Sequence, residues 1–359
     1  VEAGDLVTRL LEDILAQPDR LAAICDYTLG KGREAFARAV ELIGQAPRIV
    51  VVGVGASWNA GVAALEVFDG RACLCDASEL MFAPAISFPR RTAFIFLSRS
   101  GRSMEILRCM DRVRGKDHGI VAVTNAPDSP LARHADATLL LNVPFDYAVS
   151  VTMYSGIALV AAMLGGTPEQ GEGLSKLFAQ TASAMAEWRQ RIEGSPWLDP
   201  TGPAYFLARG GSLASAHEAR LLWEEAVKLP ATALATGNFR HGPQEIIRSG
   251  LRVGMWIHPD RSRDEDLRLA ADLRRFGVRV MLIGQNLAAS ADLVLEIPPT
   301  AGPRQFLVDV MPAQLMAERL ARLRGVDCDT FRYGAHVVEG EGGLPGGGTG
   351  SGPSPLGKP

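Results

Sequence analysis

The chain has 359 residues, room for two domains of ordinary size. Hydrophobic residues make up 47% and charged residues 21% of it, the balance of a chain that packs a core rather than a disordered one. Its formal net charge is -3 with acids and bases interspersed, which argues against nucleic acid or an anionic membrane as the main partner.

In chain order, the opening Val1-Glu2-Ala3-Gly4-Asp5 is acidic and shows no basic-then-apolar signal segment. From about residue 5 to 46, Leu6, Leu10, Leu11 and Ile14 recur at three- and four-residue steps, which predicts helix. Arg48-Ile49-Val50-Val51-Val52-Gly53-Val54-Gly55 is a β-branched run closed by glycines, the pattern of a strand buried on both faces of a parallel sheet. A helix over 57–68 follows, with Ser57 expected at its N-cap. Next come strands over 72–75 and 93–97, a helix over 103–114, strands over 120–124 and 137–141, and a helix over about 150–164. Cys73 and Cys75, on the first of these strands, are expected on opposite faces and so unable to share a metal or a disulfide. With five scattered cysteines, an odd number, the pattern suits a reducing compartment. The apolar stretch from Ser155 to Gly165 falls short of the roughly 18 residues of a spanning helix, so a soluble, cytoplasmic protein is expected.

A long helix over about 170–192 ends before Pro196 and Pro200, where the linker is placed. The second half then echoes the first. Ala204-Tyr205-Phe206-Leu207-Ala208-Arg209-Gly210-Gly211-Ser212 repeats the strand, the glycine turn and Ser57. Residues 252–257 repeat 93–97, with a helix over 263–275 after them, 278–283 repeat 120–124, and Ala291-Asp292-Leu293-Val294-Leu295 repeats Ala135-Asp136-Ala137-Thr138-Leu139. A steady offset of roughly 155–160 residues over four elements reads as a duplication. A final helix is expected over 304–324, and the Gly-, Pro- and Ser-rich stretch after Glu339 as a disordered tail. The predicted fold is α/β: two tandem three-layer αβα sandwiches with parallel sheets. N-terminal helices occupy 1–46, a first domain 47–168, a linker helix 169–200, a second domain 201–339, and the tail 340–359.

Three constellations carry chemistry. In Gly53-Val54-Gly55-Ala56-Ser57-Trp58-Asn59-Ala60-Gly61 the glycines turn the chain from strand to helix, whose first amides suit an anion. A plain capped turn explains this loop equally well, and it departs from the dinucleotide fingerprint because the third glycine falls late. In Ser98-Arg99-Ser100-Gly101-Arg102-Ser103 three hydroxyls flank a glycine between strand and helix, more than a cap requires, which favours phosphate. Both loops fall at carboxyl ends of strands, where open parallel sheets bind ligands. In the second half Glu218 and Glu225 are two turns apart on one helix and are expected to share a face, with Glu224 and Lys228 nearby. His241 precedes Gly242-Pro243 in a turn. Such a Glu/His pair suits acid–base proton transfer; the alternative is surface salt bridges for Glu224 and Glu225 and a satisfied turn histidine. His118, His134, His217 and His258 have no convincing partners. No metal-ligand spacing is present, and neither metal nor cofactor is expected.

At these motifs the sequence resembles the sugar isomerase (SIS) family, specifically the double-SIS proteins related to the isomerase half of glucosamine-6-phosphate synthase. Gly55-Ala56-Ser57-Trp58-Asn59-Ala60-Gly61 is similar to the family's Gly-Thr-Ser-Tyr-Asn-Ser-Gly loop, and Ser98-Arg99-Ser100-Gly101-Arg102-Ser103 to its Ser-Gln-Ser-Gly-Glu-Thr loop. Phe239-Arg240-His241-Gly242-Pro243 resembles Leu-Lys-His-Gly-Pro, and Gly325-Val326-Asp327-Cys328-Asp329 resembles Gly-Thr-Asp-Val-Asp. The resemblance implies that Gly55, Ala56, Ser57, Ser98, Arg99, Ser100 and Ser103 hold a sugar phosphate, with Asp146, Val149 and Ser150 near the substrate. It further implies Glu225 as the base between C1 and C2, and His241 as the ring-opening acid reaching in from the partner of a homodimer.

Two family lysines are absent. One, a turn before the catalytic glutamate, is Leu222 here; the other, near the C-terminus, aligns with His336, which is expected in an orienting or proton-transfer role. With no Cys at position 1, the chain is not expected to use glutamine. The resemblance therefore implies an isomerase or deaminase acting at C1–C2 of an (amino)hexose 6-phosphate. A fructosamine-6-phosphate deglycase is the first alternative, and a non-catalytic sugar-phosphate sensor the second. A sensor needs only the phosphate loops, and retention of Glu225 and His241 speaks against it.

Overall fold

The computed structural model describes residues 7–68, 70–83, 88–166, 171–198, 202–288, 290–300, 304–333, 337, 338 and 340. The N-terminal helical stretch is two helices, α1 (Arg9–Leu29) and α2 (Arg33–Gly44). They part at Gly30, where a Cβ would stand 2.7 Å from the Asp26 carbonyl oxygen. The β-branched run forms β1 (Ile49–Gly53), buried at every position. Helix α3 (Ala56–Ala64), β2 (Ala72–Asp76), the short α4 (Ala77–Leu80), β3 (Ala93–Leu97) and α5 (Met104–Val113) follow. Strand β4 (Gly119–Thr124), α6 (Pro130–His134), β5 (Ala137–Leu140) and α7 (Thr152–Leu164) complete the first half.

The five strands make one parallel sheet in the order β2-β1-β3-β4-β5, with Val51 level with Leu74 on one side and Ile95 on the other. Alternation along β1 sends Ile49 and Val51 into the central core and Val50 and Val52 into the outer one. Each such fully buried side chain contributes roughly 1.5–3 kcal/mol relative to exposure. The same period corrects the expectation for the cysteines. Two residues apart on β2, Cys73 and Cys75 share a face and pack together against the outer cluster. Both are free thiols, and burial lifts Cys75 to about 11.

Helix α8 (Gly171–Glu193) leads to β6 (Ala204–Ala208), α9 (Ser212–Leu222), a π-helical turn at Trp223–Val227, β7 (Ala231–Ala235) and α10 (Thr236–Phe239). Then come β8 (Arg252–Ile257), α11 (Arg263–Arg275), β9 (Arg279–Gly284), β10 (Leu293–Glu296) and α12 (Met311–Leu323). The second sheet runs β10-β9-β8-β6-β7, all parallel. Read from its other edge it has the strand order of the first, with β6 in the place of β1 and β8 in that of β3. The chain is thus an α/β protein with two five-stranded parallel sheets flanked by helices.

Three predicted details change. Strand β7 was not expected. The last helix starts at Met311, after a 3-10 turn at Gln305–Leu307, because Pro312 suits only a first helical turn. Ser57 is not the N-cap of α3: Gly55, at φ +57°, makes that turn, and the helix is already under way at Ser57.

One core joins the halves. It takes the inward faces of both sheets together with side chains of α1, α3, α7, α8, α9 and α12. Helices α3 and α9 pack on each other, and Asn59 Nδ2 donates to Glu218 Oε2 across that contact at 2.8 Å, fully buried. Among the described residues no helix is long and apolar enough to cross a membrane. The expected tail over 340–359 lies, but for Gly340, outside the described residues.

Candidate functional site

In the first sheet the connections leave in opposite directions from β1 and β3, which makes the carboxyl ends of these two strands the topological switch point. A Cβ on Gly53 would stand 2.8 Å from the Ser57 carbonyl and from the Trp58 amide nitrogen, so only glycine lets α3 fold back so closely. Gly55 then turns the chain without a side-chain cap, leaving first-turn amides of α3 and the Ser57 side chain at the strand end.

The serine loop after β3 is braced from within. Ser98 Oγ accepts from the Gly101 amide at 3.1 Å, and Ser100 Oγ from the Arg102 amide at 3.3 Å. The Arg99 carbonyl accepts from Thr124 Oγ1 at 3.1 Å. Gly101 has φ +59°, and a Cβ there would lie 2.2 Å from Ser129 Oγ. Ser103 is the N-cap of α5 but makes no side-chain capping bond. The Met104 amide donates to the Val338 carbonyl at 3.1 Å, which draws the C-terminal segment against the start of α5. Arg99 Nη1 reaches the Ala148 carbonyl at 3.4 Å and Ser150 Oγ at 3.3 Å.

These loops form one wall of a cleft of about 700 Å³. Ala56, Ser57, Ser98, Arg99, Ser100, Ser103 and Ser150 all line it. The opposite wall comes from the second half and the C-terminal segment: Glu224, Glu225, Lys228, Phe331, Arg332 and Tyr333. The cleft therefore joins residues of all three constellations read in the sequence, His241 of the third excepted.

The π turn sets that second wall. It follows α9 directly and is anchored by Trp223, buried edge-on against Phe206 at 4.9 Å. Its wider winding separates the two glutamates expected on one face. Glu218 is sealed against Asn59, its other oxygen buried without a hydrogen-bond partner among the described residues. Glu225 looks into the cleft. Burial pushes Glu225 up to about 7, against the pull of Arg99 and Lys228, and pushes Glu218 up to about 8. Glu224 is exposed and paired with Arg220, the salt-bridge reading of that residue. Lys228 ends the turn in the left-handed region at φ +58°, and its ammonium donates to the carbonyls of Glu225 and of Thr330, the latter at 2.8 Å.

Other predicted residues lie elsewhere. Asp146 is buried behind the site; it accepts from the amides of Val151, Thr152 and Met153 at 2.7, 3.0 and 2.8 Å and meets Arg20 at 3.5 Å. It serves the start of α7, although burial still raises its pKa. Val149 is buried in the central core, and Gly55 turns the chain beside the cleft without lining it. His241 is exposed in the turn after α10 and does not line this chain's cleft. His336 lies outside the described residues. Lys228, Arg332 and Tyr333 received no role from the sequence, since nothing local shows that the C-terminal segment crosses to the serine loop. Among the described residues no group of three or more His, Cys, Asp or Glu side chains gathers to hold a metal ion.

A doubled αβα sandwich with a serine-lined cleft at its first switch point defines the class to which known proteins can be compared. Residues 42–164 match the SIS domain family. The chain is 27% identical over 319 residues to the isomerizing glutamine–fructose-6-phosphate aminotransferase of Bacillus subtilis, covering 82% of this chain and 52% of that protein. To the enzyme of that name from Aeropyrum pernix it is 27% identical over 363 residues, covering 92% and 57%. The chain thus spans about half the length of the curated relatives it matches. Among solved structures, the C-terminal domain of the Francisella tularensis glucosamine-fructose-6-phosphate aminotransferase superposes with a TM-score of 0.79 at 22% identity, covering 92% of this chain and 99% of that one. Glucosamine-6-phosphate deaminase of Thermotoga maritima gives 0.74 at 21%, covering 92% and 99%. Tagatose-6-phosphate ketose/aldose isomerase of Escherichia coli gives 0.76 at 20%, covering 90% and 95%. Residues 42–164 are thus similar to an SIS domain, and the chain as a whole has the double-SIS fold.

Proposed function

We propose that the chain binds a hexose 6-phosphate in this cleft and moves a proton between C1 and C2 of an amino-substituted one, isomerising it or releasing its amine. The observation that carries this reading is the meeting of Glu225 and the serine loop in one cleft, one suited to proton transfer and the other to phosphate. Ser57, Ser98, Ser100 and Ser103 offer hydroxyls, α3 and α5 offer their N-terminal ends, and Arg99 adds a cation held beside Ser150. Gly55, Ala56, Asp146 and Val149 shape the loops that carry these donors.

With the phosphate so held, C1 and C2 of the open-chain sugar face the wall of Glu225. Its carboxylate takes the proton from one carbon and returns it to the other. When nitrogen is attached the intermediate is enolamine-like, and its reprotonation leaves an imine; water adds to that imine so that the C–N bond breaks, the amine departs and a carbonyl remains. A base whose pKa lies near the working pH is the efficient choice, and burial brings Glu225 there. Such a group contributes about 10²–10⁴-fold. Ring opening falls to His241 of a second copy, since in its own chain it lies outside the cleft; His336 is assigned an orienting role at the sugar's carbonyl end.

The test is a panel of amino-sugar 6-phosphates and fructosamine 6-phosphates, read for ammonia, amino acid and hexose phosphate. Turnover of at least one member is expected. Binding by thermal shift without turnover of any would replace the enzyme with a sugar-phosphate sensor.

A further inference from the structure

Two cations on the second wall of the cleft have no use in the chemistry so far described. Lys228 stands at φ +58°, a conformation that glycine takes without strain and lysine does not. The side chain kept there lines the cleft, as does Arg332 from the C-terminal segment. Arg332 is exposed and makes no hydrogen bond or ion pair among the described residues.

Asp327 and Glu225 both attract Lys228, but the nearby carboxylates have other partners or uses. Glu224 is paired with Arg220. Asp327 accepts from Thr330 Oγ1 at 2.7 Å and from the Asp329 amide at 2.8 Å. Glu225, with its pKa raised to about 7, carries roughly half a charge at pH 7 and is assigned to the proton transfer. The ammonium of Lys228 is itself held below its ordinary pKa, by burial first and by Arg332 second, so the two cations repel each other across the wall they share. An anion between them relieves that repulsion, and a guanidinium beside an ammonium is a fitting receptor for a carboxylate or a phosphate.

We infer that Lys228 and Arg332 form a second anion-holding point, opposite the serine loop, and that the substrate is a sugar phosphate bearing a further anionic group at its amine or C1 end. This rests on the proposed function and adds the substrate class to it. Lys228 also pins the wall, through the Glu225 and Thr330 carbonyls, so it places the receptor as well as forming part of it.

The test compares the binding of four compounds by calorimetry. They are a hexose 6-phosphate, a fructosamine 6-phosphate whose amine carries a carboxylate-bearing substituent, its carboxamide analogue, and a hexose 1,6-bisphosphate. About tenfold tighter binding of the carboxylate than of its carboxamide is expected, as for a charge-assisted contact in a partly buried site. That ratio should fall towards one in Arg332→Met, which truncates an exposed side chain, and in Lys228→Gly, which suits the left-handed backbone. A preference for the bisphosphate that both variants abolish supports the same receptor with phosphate as its anion. Equal binding of carboxylate and carboxamide, with no gain for the bisphosphate, overturns this inference alone, as does a preference that survives both substitutions. Failure to bind any of the four overturns the proposed function and this inference together.

Discussion

Glu225 must be ionised to take a proton, and the burial that tunes it also resists that ionisation. At about 7, its pKa predicts that kcat/KM falls tenfold per pH unit on the acid side of neutrality, because protonation removes the base. Glu225→Gln should lower kcat by at least about 10²-fold while the Kd for hexose 6-phosphate changes less than about threefold. A variant of normal activity would remove the residue from the mechanism. In the sequence, Glu225 stands out from its acidic neighbours only through the family motif, since Glu218 and Glu224 share its charge and its helix. The structure separates the three by partner: Asn59 for Glu218, Arg220 for Glu224, the cleft for Glu225. Lys228 could not have been singled out, because its left-handed backbone follows from a π turn that no composition announces.

Between elements, the α3–α9 contact carries a cost that pH exposes. Glu218 has an ordinary pKa of 4.5 and is pushed to about 8 in the folded chain, so the folded state keeps a proton that the unfolded state has lost between those values. Its favourable contribution is therefore complete below about pH 4.5 and lost as pH rises through about 8. Glu218→Gln keeps an acceptor for Asn59 and has no charge to bury. It should gain about 1–3 kcal/mol on the wild type between pH 5 and pH 8 in urea unfolding, and parallel pH profiles would show that Glu218 is not the titrating group. The second sheet tells the complementary story. Its switch point, at the ends of β6 and β8, carries His258-Pro259-Asp260-Arg261-Ser262-Arg263 in place of the serine loop, and Arg209 Nε is spent on Asp266 at 2.9 Å. Asp264, Glu265 and Asp266 crowd the first turn of α11 and repel an anion there. Calorimetry should give one equivalent of hexose 6-phosphate per chain; two would mean that the second switch point binds as well. The buried strands were legible because Ile, Val and Phe runs are what a two-sided burial selects. Strand β7 was not: Ala231-Thr232-Ala233-Leu234-Ala235 is alanine-rich and lies at a sheet edge, where partners rather than propensity make the strand.

On the scale of the whole molecule the proposed acid and base belong to different places. Glu225 faces its own cleft, whereas His241 is exposed on the turn after α10, beside Gly242 at φ +126°. If the site is completed by a second copy, each active centre takes Glu225 from one chain and His241 from the other, the arrangement of a twofold dimer. A mixing experiment reads this directly. Glu225→Gln and His241→Gln are each expected to be nearly inactive alone. Unfolded together in equal amounts and refolded, they form mixed dimers in about half the population. Each mixed dimer holds one site with both substitutions and one with neither, so about a quarter of wild-type activity should return. Chromatography of the unmixed wild type should give twice the chain mass. Activity that stays at the sum of the two variants, in a population shown to contain mixed dimers, would place the histidine's action within its own chain or outside the reaction.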